Sequence, residues 1–423
     1  MRILLLFVVL LIHTSFAGAQ NIQYARKIID TLCSPVMAGR GYLKEGDLKA
    51  AEYIQTQFNE NGLKAFNGSF FQKFGFPVNV FPSNPTVSID GEDLIAGTDF
   101  LVHPSSRSTN GTFELVWVDS ATIDNSGRFK KFEDDTHFRR SFLVLDVNIM
   151  KGNVLRKERL QKLKENGYKA HGLIELHDKL LWSVSTEQAL YPRLQVLKTA
   201  MPKGKTIKVD IFSQVNAHST QNVIGYVRGS VYPDSFIVFT AHYDHLGKMG
   251  KDVYFPGAND NASGTAMLLD LSRHFASCNP KSKYSVAFIA FAGEEAGLLG
   301  SYYYTQHPLF PLNQIKLLMN LDLMGTGSKG ATVVNATEFP QQYNLIEIVN
   351  AEKDYLPALY QRGKAQNSDH YFFSEMGVPA FFMYLMGDYP YYHEPEDKAE
   401  NLKLEKYENT FLLMCDLVKE LER

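Results

Sequence analysis

Three apolar runs in the second half of the sequence each stop on an acid or a histidine, and any fold of this chain has to accommodate that. Residues 236–240 lead into His242 and Asp244, 286–291 into the adjacent pair Glu294 and Glu295, and 315–321 into Asp322. Short continuous apolar runs of this kind predict strands buried on both faces. An unpaired carboxylate at the end of a buried strand is costly, and two side by side repel. Something nearby has to want both members of the Glu294–Glu295 pair.

The rest of the chain alternates between strand and helix patterns. Asp47 is placed to cap a helix presenting Ala50, Ile54 and Phe58 on one face and stopping near Gly62. A turn-rich, proline-containing stretch is expected over 76–85. Strands are predicted at 113–118, 142–147 and 172–176, with a charged helix at 155–166. From 206 onward strands are expected at 206–210, 222–227, 236–240, 284–291, 315–321 and 379–384. Helices are expected at 264–275 and 404–421. Such alternation predicts an α/β fold with a layered sheet flanked by helices.

Taken singly, the polar residues at these strand ends have ordinary readings. Asp260, in Gly-Ala-Asn-Asp-Asn-Ala-Ser-Gly, suits a turn or helix cap, Asp322 another turn, His242 a satisfied core position and His393 the surface. Together they gather near the ends of strands in one α/β sheet, where such sheets bind ligands. Histidine plus carboxylate without thiolate suits zinc or a similar divalent ion. His242, Asp260, Glu295, Asp322 and His393 are too many ligands for one catalytic zinc and suit two ions sharing a carboxylate. Adjacent residues project in different directions, so one of Glu294 and Glu295 can bind metal while the other faces the water to be activated.

The order His242-x-Asp244, Asp260, Glu294-Glu295, Asp322, His393, with the phrases AHYDHLG, GANDNASG, AGEEAGLLGS, NLDLMG and YYHEPED, resembles a known family. It is that of the co-catalytic zinc aminopeptidases, metallopeptidase family twenty-eight, related to glutamate carboxypeptidase, the transferrin receptor and glutaminyl cyclase. MAGRGYLKEGDLKAAEYI resembles that family's opening helix, and the likeness covers 22–76 and 222–415. It implies a mixed central sheet flanked by helices, with two Zn2+ per chain. His242 and Asp322 would hold one ion, Glu295 and His393 the other, and Asp260 would bridge. Glu294 would be the general base and Asp244 would orient His242. Ser368, Asp369 and His370, in NSDHYFFSEMGVPAFF, would support the site without being ligands. Tyr384, Tyr391 and Tyr392 are candidates for substrate or oxyanion contacts. Glu394 departs from the family pattern, where Ser or Thr often follows the ligand histidine. It either tunes the substrate pocket or points to solvent.

Residues 100–205 resemble the protease-associated domain inserted in many family members; a generic α/β insertion is the other reading. Either way the catalytic part is expected at 20–99 and 206–423, with the insert shaping or covering the cleft. Arg2, the apolar run 3–12 and the small residues Ala17-Gly18-Ala19 form a secretory signal over 1–19, so an exported protein is expected. No later stretch is long and apolar enough to span a membrane. With 43 basic and 46 acidic side chains, the net charge of -3 gives no reason to expect nucleic acid as a partner. Three scattered cysteines, Cys33, Cys278 and Cys415, make neither a disulfide framework nor a metal site. The expected activity is release of N-terminal residues from peptides by a water that two metals activate. A single-zinc glutaminyl cyclase, a carboxypeptidase or dipeptidase, and a non-catalytic receptor-like module are the alternatives.

Overall fold

The computed structural model describes residues 22–147 and 154–423. The secretory signal expected over 1–19 lies outside the described residues. The chain builds two large sheets. The first has nine strands, and its central four, Tyr284–Phe291, Tyr232–His242, Ile315–Leu321 and Ala380–Met386, run parallel. The antiparallel strands Gln214–Val227 and Gly330–Val334 flank them. The sheet is therefore mixed, as expected.

The central strands are continuous apolar runs because both faces are covered. Along Tyr232–His242, Ile237, Phe239 and Ala241 enter one core cluster and Phe236 and Val238 another. This is the two-residue period of a strand between two layers. The first layer is helical: Ile28 and Ile29, Ala50, Ile54 and Phe58, and Leu268, Leu271 and Phe275 pack on that face. They come from the helices Ile22–Leu32, Gly46–Glu60 and Gly264–Ser277. The opposite layer supplies Tyr304, Phe310 and Phe373.

The second sheet has eight strands with the parallel series Thr109–Val118, Ser141–Asp146, Gly172–His177 and Arg193–Leu197 at its middle. It also takes in Thr86–Ile89, Glu92–Leu94, Phe100–Val102 and Thr206–Ile211. Thr86–Ile89 pairs with Thr206–Ile211 across the whole insertion, so the second sheet draws strands from before residue 100 and after residue 205. One of its cores, around Phe81, Phe100 and Trp182, also holds Leu246, Met249 and Phe255 from the first unit.

Two local expectations change. Residues 71–80 form a strand, Phe71–Val80, antiparallel to Gln214–Val227, where loop was expected over its second half. Pro77 is accommodated because that strand pairs with no other, so no ladder bond needs its missing N–H. Asp47 sits inside the first turn of Gly46–Glu60, buried, and accepts hydrogen bonds from His218 and Thr220 at 2.7 Å instead of capping the helix. All three cysteines are free. Among the described residues no helix is long and apolar enough to cross a membrane.

Candidate active site

Parallel strands deliver the polar residues to one edge. His242 is the last residue of its strand, Asp322 follows Leu321 directly, and Glu294 and Glu295 come just after Phe291. His393 lies in the loop after Ala380–Met386, and Asp260 in the turn that feeds Gly264–Ser277. All are at the carboxyl ends of the four parallel strands, the end at which open α/β sheets bind ligands.

Asp260 is the centre of the arrangement. Its Oδ1 lies 3.3 Å from His242 Nε2 and its Oδ2 lies 3.1 Å from His393 Nε2. Asp322 Oδ1 is 3.5 Å from His242 Nε2, and Glu295 Oε2 is 3.4 Å from His393 Nε2. Two three-residue sets result, His242–Asp260–Asp322 and His393–Asp260–Glu295, sharing one carboxylate. His242, Asp260 and Asp322 are all buried and can bring ligand atoms within 4.8 Å of one another.

The outward nitrogens fix the tautomers. His242 Nδ1 faces the carbonyl of Asp244 at 3.1 Å, and His393 Nδ1 faces the carbonyl of Trp182 at 2.9 Å. A carbonyl only accepts, so each Nδ1 carries a proton, and Nε2 is the nitrogen left to face the carboxylates and to bind a metal when it loses its own proton. The Trp182 N–H in turn donates to the His393 carbonyl at 2.9 Å, so the inserted unit grips this loop through a reciprocal backbone pair.

The electrostatics are those of crowded acids. Burial, with Glu295, Asp369 and Asp322 near, holds the Glu294 carboxyl well above the usual range. Burial alone would push His393 down, but Glu295 and Asp260 raise it to about 9. Asp322 Oδ1 is buried without a hydrogen-bond partner, although Ser368 Oγ donates to Oδ2 at 3.1 Å. An orphaned carboxylate oxygen facing a histidine Nε2 fits a divalent cation, and the all-oxygen-and-imidazole donor set fits zinc.

Asp244 meets His242 Nδ1 through its backbone carbonyl, and its carboxylate has further partners. Its carboxylate is 3.8 Å from His242 Nδ1 and instead accepts from Tyr42 Oη at 2.6 Å and from the N–H groups of Glu294 and Glu295 at 3.2 and 3.3 Å. It anchors the Glu-Glu turn, and only its backbone meets His242. Burial lifts its pKa to about 6, against His242 and Tyr42. Of the supporting trio, Ser368 touches a ligand. Asp369 is fully buried and raised to about 7, mainly by burial, while His370 packs on Phe382 with ring centroids 5.6 Å apart.

Tyr384 and Tyr392 line the cavity of about 430 Å³ over these residues, and Tyr392 stacks on the His393 ring with centroids 3.9 Å apart. Tyr391 does not line it; its ring meets Tyr389 edge-on at 5.3 Å. Glu394 turns away as well, pairing with Lys179 of the inserted unit at 2.6 Å. A larger cavity, about 660 Å³, lies in the second unit around Arg107 and Tyr191 and contains none of the clustered acids.

Several contributors escaped sequence reasoning. Arg40 is fully buried and donates to the carbonyls of Tyr243, Pro256 and Gly257 at 2.6–2.8 Å and of Asp260 at 3.2 Å, clamping the turn that carries Asp260. Asp397 accepts from the N–H groups of Asn259 and Asp260 at 2.9 and 3.1 Å. His245 Nδ1 donates to Glu295 Oε1 at 2.7 Å. His245 and Asp397 both stand inside quoted motifs, so a search for extra titratable residues there would have found them. Arg40 stands inside a quoted phrase too, but nothing local marks its role.

Comparison with known proteins bears on this geometry. Residues 222–418 match the model of Peptidase family M28. Aminopeptidase YwaD of Bacillus subtilis is 32% identical over 229 residues, 52% of this chain and 48% of its own length. Aminopeptidase NAALADL1 of Rattus norvegicus is 31% identical over 117 residues, 27% of this chain and 15% of its own length. The chain therefore spans about half or less of these curated relatives. Among solved structures, BSAP, a zinc aminopeptidase from Bacillus subtilis, superposes with a TM-score of 0.71 at 21% identity, covering 95% of each chain. The Peptidase M28 precursor from Shewanella amazonensis gives 0.69 at 16% identity, covering 94% of this chain and 93% of its own. Both likenesses are of fold.

Proposed function

We propose, for a chain whose residues 222–418 match the model of Peptidase family M28, a zinc-dependent aminopeptidase that uses two ions and releases N-terminal residues from peptides. One observation carries the reading: the two oxygens of Asp260 face two different histidines, at 3.3 and 3.1 Å, and each histidine has its own further carboxylate. His242 with Asp322 would hold one ion, His393 with Glu295 the other, and Asp260 both. When bound, the ions supply Lewis acidity toward the scissile carbonyl and lower the pKa of water.

The chain's own residues do the rest. Glu294 is held beside Glu295 by the Asp244 carboxylate, which receives both backbone N–H groups. It lines the cavity and belongs to neither three-residue set, so it is free to take a proton from the attacking water and deliver it to the leaving amine. Tyr384, Tyr392, Leu298, Leu323 and Phe382 supply apolar and aromatic walls around the substrate and limit water there. Residues 1–19 support an exported protein, and an N-terminus at Gln20 in the purified material checks that part.

A glutaminyl cyclase of the one-zinc kind needs only Asp260, Glu295 and His393. The second set, His242 with Asp322, then has no task, yet it is buried and assembled. Zinc titration of the metal-stripped protein tests the choice, with a leucine anilide and an N-terminal glutaminyl peptide as substrates. Two ions per chain and anilide cleavage are expected. Saturation at one ion, with cyclisation of the glutaminyl peptide and no cleavage, refutes the proposal.

A further inference from the structure

The cavity over the acids has one wall of a different character. The segment from Arg362 to Asn367 places Arg362, Gln366 and Asn367 on it. Arg362 is the last residue of the strand Leu359–Arg362 and is the one Lys or Arg side chain among the described residues lining the cavity. Its guanidinium makes no ion pair and no hydrogen bond among the described residues, and the side-chain amides of Gln366 and Asn367 have no partner either. Neighbouring Lys364, by contrast, is paired with Glu375 and does not line the cavity.

Charge gives this wall a meaning. Four acids, Asp260, Glu294, Glu295 and Asp322, line the same cavity, and among the described residues none of them pairs with Arg362. A guanidinium flanked by amide donors binds a carboxylate best, through paired N–H···O contacts that a neutral group cannot match.

We propose that Arg362, with Gln366 and Asn367, is a carboxylate-recognition wall that selects substrates bearing an anionic carboxylate close to the scissile bond. The proposal rests on the aminopeptidase reading and names its substrate class. A carboxylate at that range has two sources: the side chain of an acidic N-terminal residue, or the C-terminal carboxylate of a dipeptide.

Calorimetric titration of the zinc-loaded protein separates them without turnover. Glutamate is compared with glutamine for the side-chain source. Reduced-bond leucyl-leucine is compared with its C-terminal amide for the terminal source. In one arm the carboxylate should bind roughly ten- to a hundredfold tighter than its amide, the worth of a hydrogen bond to a charged group. Arg362→Gln should abolish that preference, Arg362→Glu should reverse it, and Lys364→Gln should leave it intact. No preference in either arm, or a preference that survives Arg362→Gln, overturns the proposal. Leucine anilide cleavage is followed separately. Cleavage without carboxylate preference leaves the aminopeptidase standing and removes the wall. Preference without cleavage removes the aminopeptidase and leaves a carboxylate-binding site.

Discussion

Each of the two sheets buries carboxylates, and each treats them differently. In the second sheet Glu175 is surrounded by basic side chains: Arg193 Nη2 at 2.7 Å, His177 Nε2 at 3.6 Å and Lys164 Nζ at 3.8 Å. Burial alone would raise its pKa, but the nearby His177 ring, the Arg193 hydrogen bond and the charges of Arg193 and Lys164 bring it down to about 2. In the first sheet Glu294 rises well above the usual range, and Asp369 behind it rises to about 7. The same buried acid is thus an internal ion pair in one place and an unmet demand for positive charge in the other. Compensated acids hold a fold together, whereas uncompensated acids clustered at strand ends mark a site built for something the chain does not itself contain.

The sharpest way to break this contrast is to neutralise one acid in each cluster. Glu294→Gln should keep both zinc ions and lose about 10²–10⁴-fold in turnover, since it removes a general base and no ligand. Elemental analysis beside an anilide assay checks it, and retained turnover would mean Glu294 is not the base. His242→Ala and His393→Ala should instead lose zinc, each emptying one set.

Asp244→Asn comes next. Its carboxylate anchors the Glu294–Glu295 turn, so the expected loss is about 10–100-fold, in the range of residues that orient ligands. Tyr42→Phe removes one of the hydrogen bonds to that carboxylate and should cost less than Asp244→Asn. Equal losses would assign the effect to packing around Tyr42.

Glu175→Gln should do the reverse. It should destabilise the protein by roughly 1.5–3 kcal/mol, the worth of hydrogen bonds to a charged group, while zinc content and turnover per folded molecule stay unchanged. Denaturant unfolding read together with the assay decides this, and an unchanged midpoint would strip the second cluster of its structural role.

The smallest effect is in the sign of pH dependence. Glu175 has a depressed pKa, so its stabilisation is present above its ordinary 4.5 and is lost as pH falls toward about 2. Asp369 has a raised pKa, so its contribution is present below its ordinary 3.8 and is lost as pH rises toward about 7. In the metal-free protein, Asp369→Asn should therefore gain stability over the parent as pH rises from 3.8 to about 7. Glu175→Gln should lose its disadvantage as pH falls from 4.5 to about 2. Thermal melts across both windows test the pair, and slopes of the same sign would end the comparison.

The sequence carried the strand ends because apolar runs fix strands locally, and a polar residue interrupting such a run stands out. His242, Glu294, Glu295 and Asp322 were legible for that reason. Asp260 and His393 needed the motif set, since turn residues have commonplace roles of their own. Arg40 stands inside the phrase MAGRGYLKEGDLKAAEYI, but its role was hidden because most of its buried partners are backbone carbonyls from Tyr243 to Asp260, far along the chain. Tyr391 and Glu394 lie off the cavity for a related reason. Nearness in sequence to His393 says nothing of direction, and that loop turns one side chain toward Tyr389 and the other toward Lys179. Thr86–Ile89 was not legible as part of the second sheet because it finds its partner only after the insertion closes.

The reciprocal bond between Trp182 and His393 limits how this architecture can be rearranged by descent or by design. A module that merely roofed the cleft could be deleted, lengthened or exchanged without touching the chemistry. This one lends a backbone carbonyl to the imidazole, so the second unit is a co-author of the first unit's histidine. Any transplanted replacement would need an acceptor in the same place, whatever its own topology. Sequence drift in the insert spares the imidazole's acceptor wherever it leaves that one peptide group undisturbed, and the stacking of Trp182 on Phe255, with ring centroids 4.7 Å apart, and the indole N–H bond to the Val102 carbonyl at 2.7 Å hold it there.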